Sequence, residues 1–479
     1  MLREITQLAA TVSLLLLPAA LADWPRWRGP KGDGISPQRG TLAAWAANEG
    51  PQVLWRAEVH TGFSGLAVGG GRVFTLGNSN DWDVVTALDA ATGKALWKFR
   101  YPARLDPNLY EGGPGAMPTL EGERLYTLSK WGDLFCLEAA TGDVIWSRRL
   151  TNDAGIALPN WGLASGPLIL GDRVYLNAGG RGLALHKQDG RVVWANTLGL
   201  NGYSACVPYD HQGTPALALL AHREAVGVAQ ADGRLLWSKR WFTQYDMNCP
   251  DPLPVAGGGL LLTGYKRTAE LLDFAGGAPA VRWQSPGLST HLSPGVTWEG
   301  HLYTYVGDAE RTGAFVCADL ATGEIRWRVE NVPPGSVIAA GGCLLLLEGK
   351  GRLILARPDP AGYHELARAQ ILPEGRAWTP PSFSNGVFYA RNARGHVVAV
   401  ALPWTPAAEV RPALDARKVD REVEVTWPGE AADWILERYL PATPELGWRV
   451  LAPGEGTLSP GLYRCVPAEA AAWFRLRRP

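Results

Sequence analysis

The stretch "ALDAATGKALW", Ala87–Trp97, decides the fold because close copies of it return four times along the chain. In every copy a glycine stands at the same place, and a tryptophan follows it four residues later. A unit that recurs at a spacing of roughly 40 to 50 residues is typical of a propeller or a solenoid. The four further copies are "CLEAATGDVIW" (136–146), "ALHKQDGRVVW" (184–194), "GVAQADGRLLW" (227–237) and "CADLATGEIRW" (317–327).

The residue types of the unit have a physical explanation. Asp89–Gly93 predicts a hairpin turn, since aspartate bonds its own backbone and glycine accepts a left-handed conformation. The tryptophan then lies at a fixed place on the outgoing strand, where it can fill the wedge between two splayed blades. A small residue stands ten positions before each tryptophan, and we expect it to let adjacent sheets approach closely. These small residues are Ala87, Cys136, Ala184, Gly227 and Cys317, so the two cysteines are interpreted as core residues and not as ligands.

Each unit also contains an upstream pair of short strands with a glycine turn, as in "PTLEGERLYTL". Four strands per unit and eight units predict an all-β chain, an eight-bladed β-propeller of four-stranded antiparallel blades over residues 52–404. The eighth unit stops after three strands, and Gln52–Val59 has the tryptophan context of an outer strand. We therefore expect residues 52–59 to complete the last blade and close the ring.

The segments outside the propeller are assigned from composition. Residues 1–22 contain a ten-residue apolar run and a small-residue cut site, which predicts a secretory signal peptide. Residues 23–51 form an N-terminal extension. Residues 405–422 are rich in charge, alanine and proline and predict a linker, and 423–479 predict a small C-terminal β module, similar to a fibronectin type III sandwich.

Charge and hydropathy restrict the partners and the location. The chain carries 46 basic and 46 acidic residues, and this balance does not favour nucleic acid as a partner. No segment is apolar over the roughly 20 residues that a transmembrane helix needs. The sequence predicts an exported protein, periplasmic or secreted, with a small molecule or a protein as its partner and no transmembrane anchor.

With the repeat unit "LDAATGKALW" (88–97) and its copies, the chain resembles the pyrroloquinoline quinone (PQQ)-like propeller repeat family, over roughly residues 23–404. That family includes quinoprotein alcohol dehydrogenases and the propeller component of the outer-membrane barrel-assembly machine. The resemblance implies PQQ with calcium as one cofactor hypothesis, and the cofactor is otherwise left open. The dehydrogenases carry a disulfide between adjacent cysteines, and this sequence has no Cys-Cys dipeptide.

A binding site is expected where the loops that enter the innermost strands meet, which we call the axial mouth. These loops are rich in aromatic, imidazole, amide and carboxylate groups, a composition that suits a small ligand. The alternative is that these residues only cap the inner strands. The candidates are His60, Tyr110, Glu111, Asn160, Trp161, Tyr203, Ser204, Tyr245, Asp246, Asn248, His291, Trp378 and Thr379.

A second candidate set follows the loops between the second and third strands, which should open on the same face. Seven blades carry a base there, which would favour an anionic ligand. The alternative is ordinary solvated hairpin tips. This basic rim consists of Lys130, Arg181, Arg223, Lys266, Arg267, Arg311, Lys350 and Arg394.

Familiar catalytic motifs and zinc spacings are absent from the sequence, and no catalytic residue is assigned. Cys206 and Cys249 fall out of register by one residue, so no disulfide is predicted between them. The favoured function is an exported propeller that binds a ligand or a protein at its axial face. The alternatives are a PQQ-dependent alcohol or sugar dehydrogenase and an outer-membrane assembly scaffold.

Overall fold

The computed structural model describes residues 23–46 and 49–407, together with the backbone of seven strands between residues 415 and 477. Residues 67–401, together with one strand from the N-terminal side, form eight four-stranded antiparallel sheets. They confirm the predicted all-β, eight-bladed β-propeller.

The blades follow one another along the chain, and in blades one to seven the strands run in chain order from the axis outwards. The strands of blades one to four are Ala67–Gly69, Arg72–Ser79, Trp82–Asp89 and Ala95–Pro102; Thr119–Glu121, Arg124–Leu128, Asp133–Glu138 and Val144–Arg149; Leu168–Leu170, Arg173–Leu176, Leu183–His186 and Val192–Ala195; Val207–His211, Thr214–Leu220, Glu224–Ala229 and Leu235–Arg240. Those of blades five to seven are Leu253–Val255, Gly259–Gly264, Arg267–Asp273 and Ala280–Ser285; Val296–Trp298, His301–Val306, Gly313–Asp319 and Ile325–Val332; Gly335–Ala340, Cys343–Glu348, Arg352–Arg357 and His364–Gln370.

Blade eight is built from both ends of the propeller sequence. Its three inner strands are Ser382–Ser384, Val387–Arg391 and His396–Ala401, and its outer strand is Gln52–Glu58. The N-terminal strand pairs antiparallel with His396–Ala401. This pairing joins the last blade to the segment that leads into the first, and it leaves no open edge at the junction.

Arg391 fastens blade eight to blade one. Its guanidinium is fully buried and donates to the carbonyl oxygens of His60, Gly62, Ser64 and Leu76. It also donates to the Thr75 hydroxyl at 2.7 Å. Burial lowers the pKa of Arg391 to about 9, and the side chain is held by neutral acceptors instead of a carboxylate. The closure therefore relies on a fork of hydrogen bonds as well as on strand pairing.

Six of the repeat tryptophans bind their blade to the next one, whereas Trp237 donates to the Tyr209 hydroxyl of its own blade. The Trp97 indole donates to the Ala139 carbonyl at 3.1 Å, across the boundary between blades one and two. A Cβ atom added to Gly142 would come within 2.6 Å of the Trp97 ring, so the turn glycine leaves room for the ring. The same indole bond recurs from Trp55, Trp146, Trp194, Trp283 and Trp327.

The small residue of the repeat faces the tryptophan of its own blade. It lies directly across from the tryptophan of its own blade, as in the pairs Ala87↔Trp97 and Gly227↔Trp237. A Cβ atom on Gly227 would clash with the Trp237 indole. Gly227 therefore makes space for the ring of Trp237.

The N-terminal extension packs against the inner strands of several blades. Trp24 forms a bridge with Val68 of blade one, and Ile35 forms one with Ala339 of blade seven. Further on, Gly40–Leu42 pairs with Trp404–Pro406. The extension therefore crosses the central part of the propeller, which brings its aromatic and basic residues near the axis.

The C-terminal strands form a unit separate from the propeller, which ends at Ala407. They make a four-stranded and a three-stranded antiparallel sheet. Asp415–Val419 is a strand that pairs with Glu422–Thr426, so the predicted linker 405–422 contains regular structure. The linker is predicted from its proline, alanine and charge content, which does not reveal the pairing with the next strand. The strands are Asp415–Val419, Glu422–Thr426, Ile435–Tyr439, Arg449–Val450, Thr457–Ser459, Leu462–Cys465 and Trp473–Arg477.

Helical structure in the described residues is limited to Leu150–Asp153 and the 3-10 turn Gln244–Asp246. None of the described helices is long and apolar enough to cross a membrane. The proposed signal peptide, residues 1–22, lies outside the described residues.

Candidate functional site

A cavity of about 210 Å³ lies where the segments that precede the inner strands converge. Every blade except the seventh contributes to its lining from such a segment. The sequence supplies these residues in short loops that end where each inner strand begins, so the geometry of the ring brings them together. The cavity is lined by Trp27, Phe63, Asp106, Asn108, Tyr110, Gly112, Gly113, Gly115, Lys130, Trp161, Leu163, Ala164, Ser165, Tyr203, Ala205, Met247, Cys249, His291, Leu292, Trp378, Thr379 and Pro380.

Two groups of aromatic rings dominate the lining. Trp378 stacks on Phe63, with ring centroids 5.6 Å apart, and meets Tyr110 edge-on at 5.0 Å. Trp161 meets Tyr203 edge-on at 5.8 Å, and its backbone N–H donates to the Tyr203 hydroxyl. Each of these five rings is only partly buried, so each keeps surface available to a ligand.

A further ring in the lining comes from the N-terminal extension. The Trp27 indole donates to the Asp251 carboxylate at 2.6 Å, and the backbone N–H of Ala205 donates to the other carboxylate oxygen at 2.7 Å. Arg28 lies 3.9 Å from the same carboxylate, and both charged groups are buried. Burial raises the pKa of Asp251, while Arg28 opposes that shift. Asp251 thus positions Trp27 in the lining.

The cavity holds one ion pair. The Lys130 ammonium lies 2.8 Å from the Asp106 carboxylate and also donates to the Asp106 carbonyl at 3.1 Å. Lys130 is almost fully buried. Its charge is therefore neutralised within the wall of the cavity.

His291 is a neutral donor at the cavity wall. The backbone N–H of Ala309 donates to its Nδ1 at 2.9 Å, so the ring proton resides on Nε2. Burial lowers the pKa of His291 to about 4, and the ring is neutral at pH 7. Its Nε2 is buried and has no hydrogen-bond partner among the described residues. Ser165, also in the lining, has a buried hydroxyl that likewise has no hydrogen-bond partner among the described residues.

Six of the predicted mouth residues line the cavity: Tyr110, Trp161, Tyr203, His291, Trp378 and Thr379. Thr379 also caps the Phe63 carbonyl at 2.8 Å. Glu111 lies beside the cavity and pairs with Arg376, whose guanidinium sits over Tyr110 and Trp378.

The other predicted mouth residues lie outside the lining. Ser204 and Asn248 are fully buried and bond backbone groups, which fits the alternative of strand capping. Asp246 pairs with Arg223, and Tyr245 is exposed in a left-handed conformation. The remaining two residues, His60 and Asn160, lie in a separate pocket on blade one and on the exposed surface, respectively.

The predicted basic rim is largely paired. Arg181 pairs with Glu224 and Arg267 with Glu270, in addition to the Lys130 and Arg223 pairs. Lys266 lies over the Tyr265 ring. The three remaining bases, Arg311, Lys350 and Arg394, are exposed. Lys130 is the member of the rim that lines the cavity.

Sequence reasoning missed several residues of the site. Trp27 was not selected, although the motif "RWRG" in the extension is an unusual place for tryptophan in a segment with no repeat. Asp106 pairs with a lysine 24 residues away, and no local pattern marks that pair. Cys249 lines the cavity as a free thiol, and burial raises its pKa to about 12, so it is not an activated nucleophile.

The fold and the cavity define a class of protein, an eight-bladed propeller with a ligand-sized cavity on its axis. A family model described as outer membrane protein assembly factor BamB matches residues 38–113 and 83–328, more than half of the chain. The chain therefore belongs to the family of PQQ-like β-propellers.

Solved structures share the fold at low identity. BamB from Moraxella catarrhalis is 16% identical with a TM-score of 0.55, over 74% of this chain and 100% of that chain. Quinohemoprotein alcohol dehydrogenase from Comamonas testosteroni is 15% identical with a TM-score of 0.57, over 83% of each chain. The quinohemoprotein alcohol dehydrogenase ADHIIG from Pseudomonas putida HK5 is 14% identical with a TM-score of 0.55, over 83% and 84%. Comparison with curated sequences finds no match.

The lining residues do not fit PQQ bound with calcium. PQQ carries three carboxylates, and the one cation in the lining, Lys130, is already paired with Asp106. The one carboxylate in the lining is the same Asp106. Among the described residues no group of three histidine, cysteine, aspartate or glutamate side chains could hold a metal ion. Asp251 is committed to Trp27, Ala205 and Arg28.

Proposed function

We propose that this protein is an exported binding protein that takes a small planar ligand into its axial cavity. The observation that carries the proposal is the aromatic lining, in which rings from five blade-entry segments and from Trp27 of the N-terminal extension face one space. Flat rings stack on flat ligands at little entropic cost. Export rests on the signal peptide predicted at residues 1–22.

The size of the cavity favours a small molecule over a segment of a partner protein. A volume of about 210 Å³ corresponds to about seven water molecules. That space suits a ligand of one or two fused rings. A protein partner would instead need a broad apolar surface around the cavity.

The chemistry of the lining favours binding over catalysis. Burial keeps the Cys249 thiol protonated, and His291 uses its Nδ1 lone pair to accept the Ala309 N–H. The Asp106 carboxylate is tied to Lys130. The described lining thus offers no activated nucleophile and no free general base.

The test is a screen of flat one- and two-ring compounds for thermal stabilisation of the intact protein. Hits are then measured with Trp161→Ala and Trp378→Ala, each of which should weaken binding at least tenfold. Trp82→Ala is the matched control, because Trp82 is exposed on blade one and outside the axial cavity. Equal loss in the control would show that the aromatic lining is not the binding surface.

The same samples separate the alternative functions. Stoichiometric binding of PQQ with calcium, followed by dye reduction with an alcohol or a sugar, would identify a quinoprotein dehydrogenase. Binding to outer-membrane assembly proteins that survives Trp161→Ala and Trp378→Ala, with no small-molecule hit, would identify a scaffold. Either result would overturn the proposal.

A further inference from the structure

The electrostatics of the cavity restrict which planar ligands it can take, and this inference rests on the proposed function. We infer that the cavity selects an uncharged planar ligand and discriminates against carboxylated ligands. Two features lead to this class of ligand.

The first feature is the charge of the lining. Lys130 and Asp106 are its only ionisable groups that are charged at pH 7, and they form a pair 2.8 Å apart. A ligand carboxylate would lose its hydration in the cavity and find no unpaired cation among the described lining residues. Burying an uncompensated charge costs more than stacking on one or two rings returns.

The second feature is the ion pairing next to the cavity. Arg376 reaches over the rings of Tyr110 and Trp378, where it could have met an anionic ligand. It is instead held by Glu111 and Glu310, each at 2.9 Å. The adjacent guanidinium is therefore engaged by two carboxylates and does not attract a third.

The wild-type experiment compares three flat bicyclic probes that differ in charge. They are neutral coumarin, anionic coumarin-3-carboxylate and cationic N-methylquinolinium, each titrated by calorimetry at pH 7 and low salt. We expect coumarin to bind at least tenfold more tightly than either charged probe. Tighter or equal binding of a charged probe would overturn the inference but leave the proposed cavity standing. Failure of all three probes to bind would count against the proposed function itself.

Two variants test the origin of the selectivity. Asp106→Asn leaves Lys130 without its carboxylate, so the affinity ratio should shift at least tenfold towards coumarin-3-carboxylate. Glu121→Gln is the matched control, since it frees Lys187, a lysine outside the cavity lining, from a comparable pair. An equal shift in both variants would mean that net charge, and not the cavity, sets the preference.

Discussion

Replacing Trp146 with alanine should destabilise the propeller by about 3–5 kcal/mol, the range for a buried aromatic side chain. Trp146 lies on the outer strand of blade two and is only 7% exposed. Its ring rests on Gly190 of blade three, where an added Cβ atom would come within 2.7 Å. Alanine would leave this wedge empty, and the glycine turn could not fill it.

The hydrogen bond of Trp146 accounts for a minor part of that free energy. Its indole donates to the Lys187 carbonyl at 3.0 Å. The same carbonyl also accepts from Arg124 at 3.1 Å, so it keeps a partner in the variant. The lost bond should therefore contribute about 0.5–1.5 kcal/mol. The remainder comes from the buried ring and the cavity that it leaves.

Urea denaturation followed by far-ultraviolet circular dichroism measures both contributions. Trp146→Phe retains an aromatic ring next to Tyr126 but cannot donate to Lys187, so it should cost about 1–2 kcal/mol. A loss of less than about 1 kcal/mol for Trp146→Ala would refute the argument that the Trp146 ring fills the space between blades two and three. Equal costs for the two variants would also refute it, since the ring would then contribute nothing.

Two further predictions concern the closure of the ring and a buried acid. Arg391→Met should lower the free energy of unfolding by more than about 3 kcal/mol, because it leaves several buried carbonyls of blade one without this donor. Arg391→Lys should not restore that free energy. A urea midpoint equal to that of the wild type would argue against this role of Arg391. Burial raises the pKa of Asp83 to about 6 in the folded protein, above its unfolded value, so ionisation of this carboxyl lowers stability as the pH rises through about 6. Asp83→Asn should therefore raise the free energy of unfolding by about 1–3 kcal/mol at pH 8 and by much less at pH 4, near the unfolded pKa; a gain that does not change between these pH values would contradict the assignment.

The repeat sequence by itself determined the architecture. The turn "DAATG" and its tryptophan belong to a unit of about 40 residues, and the strands of one unit pair with each other. Eight such units with one missing outer strand were sufficient to predict the eight-bladed ring. The role of the small residue before the tryptophan could not be assigned in this way, because Ala87 meets Trp97 only when the register of the strands is known.

The candidate site could be predicted only in part from the sequence. Trp161, His291 and Trp378 could be placed at the axis, because the loops that enter inner strands meet there in any propeller. The sequence could not show which residues of these loops line the cavity. Ser204 and Asn248 occupy equivalent loops, but their side chains form hydrogen bonds with backbone groups.

Only the tertiary structure decided the chemistry of the cavity. The N-terminal extension brings Trp27 to Asp251, 224 residues away in the sequence. The pairing of Lys130 with Asp106 converts a predicted basic group into part of a neutral wall. The charge of the cavity wall depends on which side chains meet after the ring has closed. Such contacts join residues that are far apart in the sequence, so they leave no local periodicity in it.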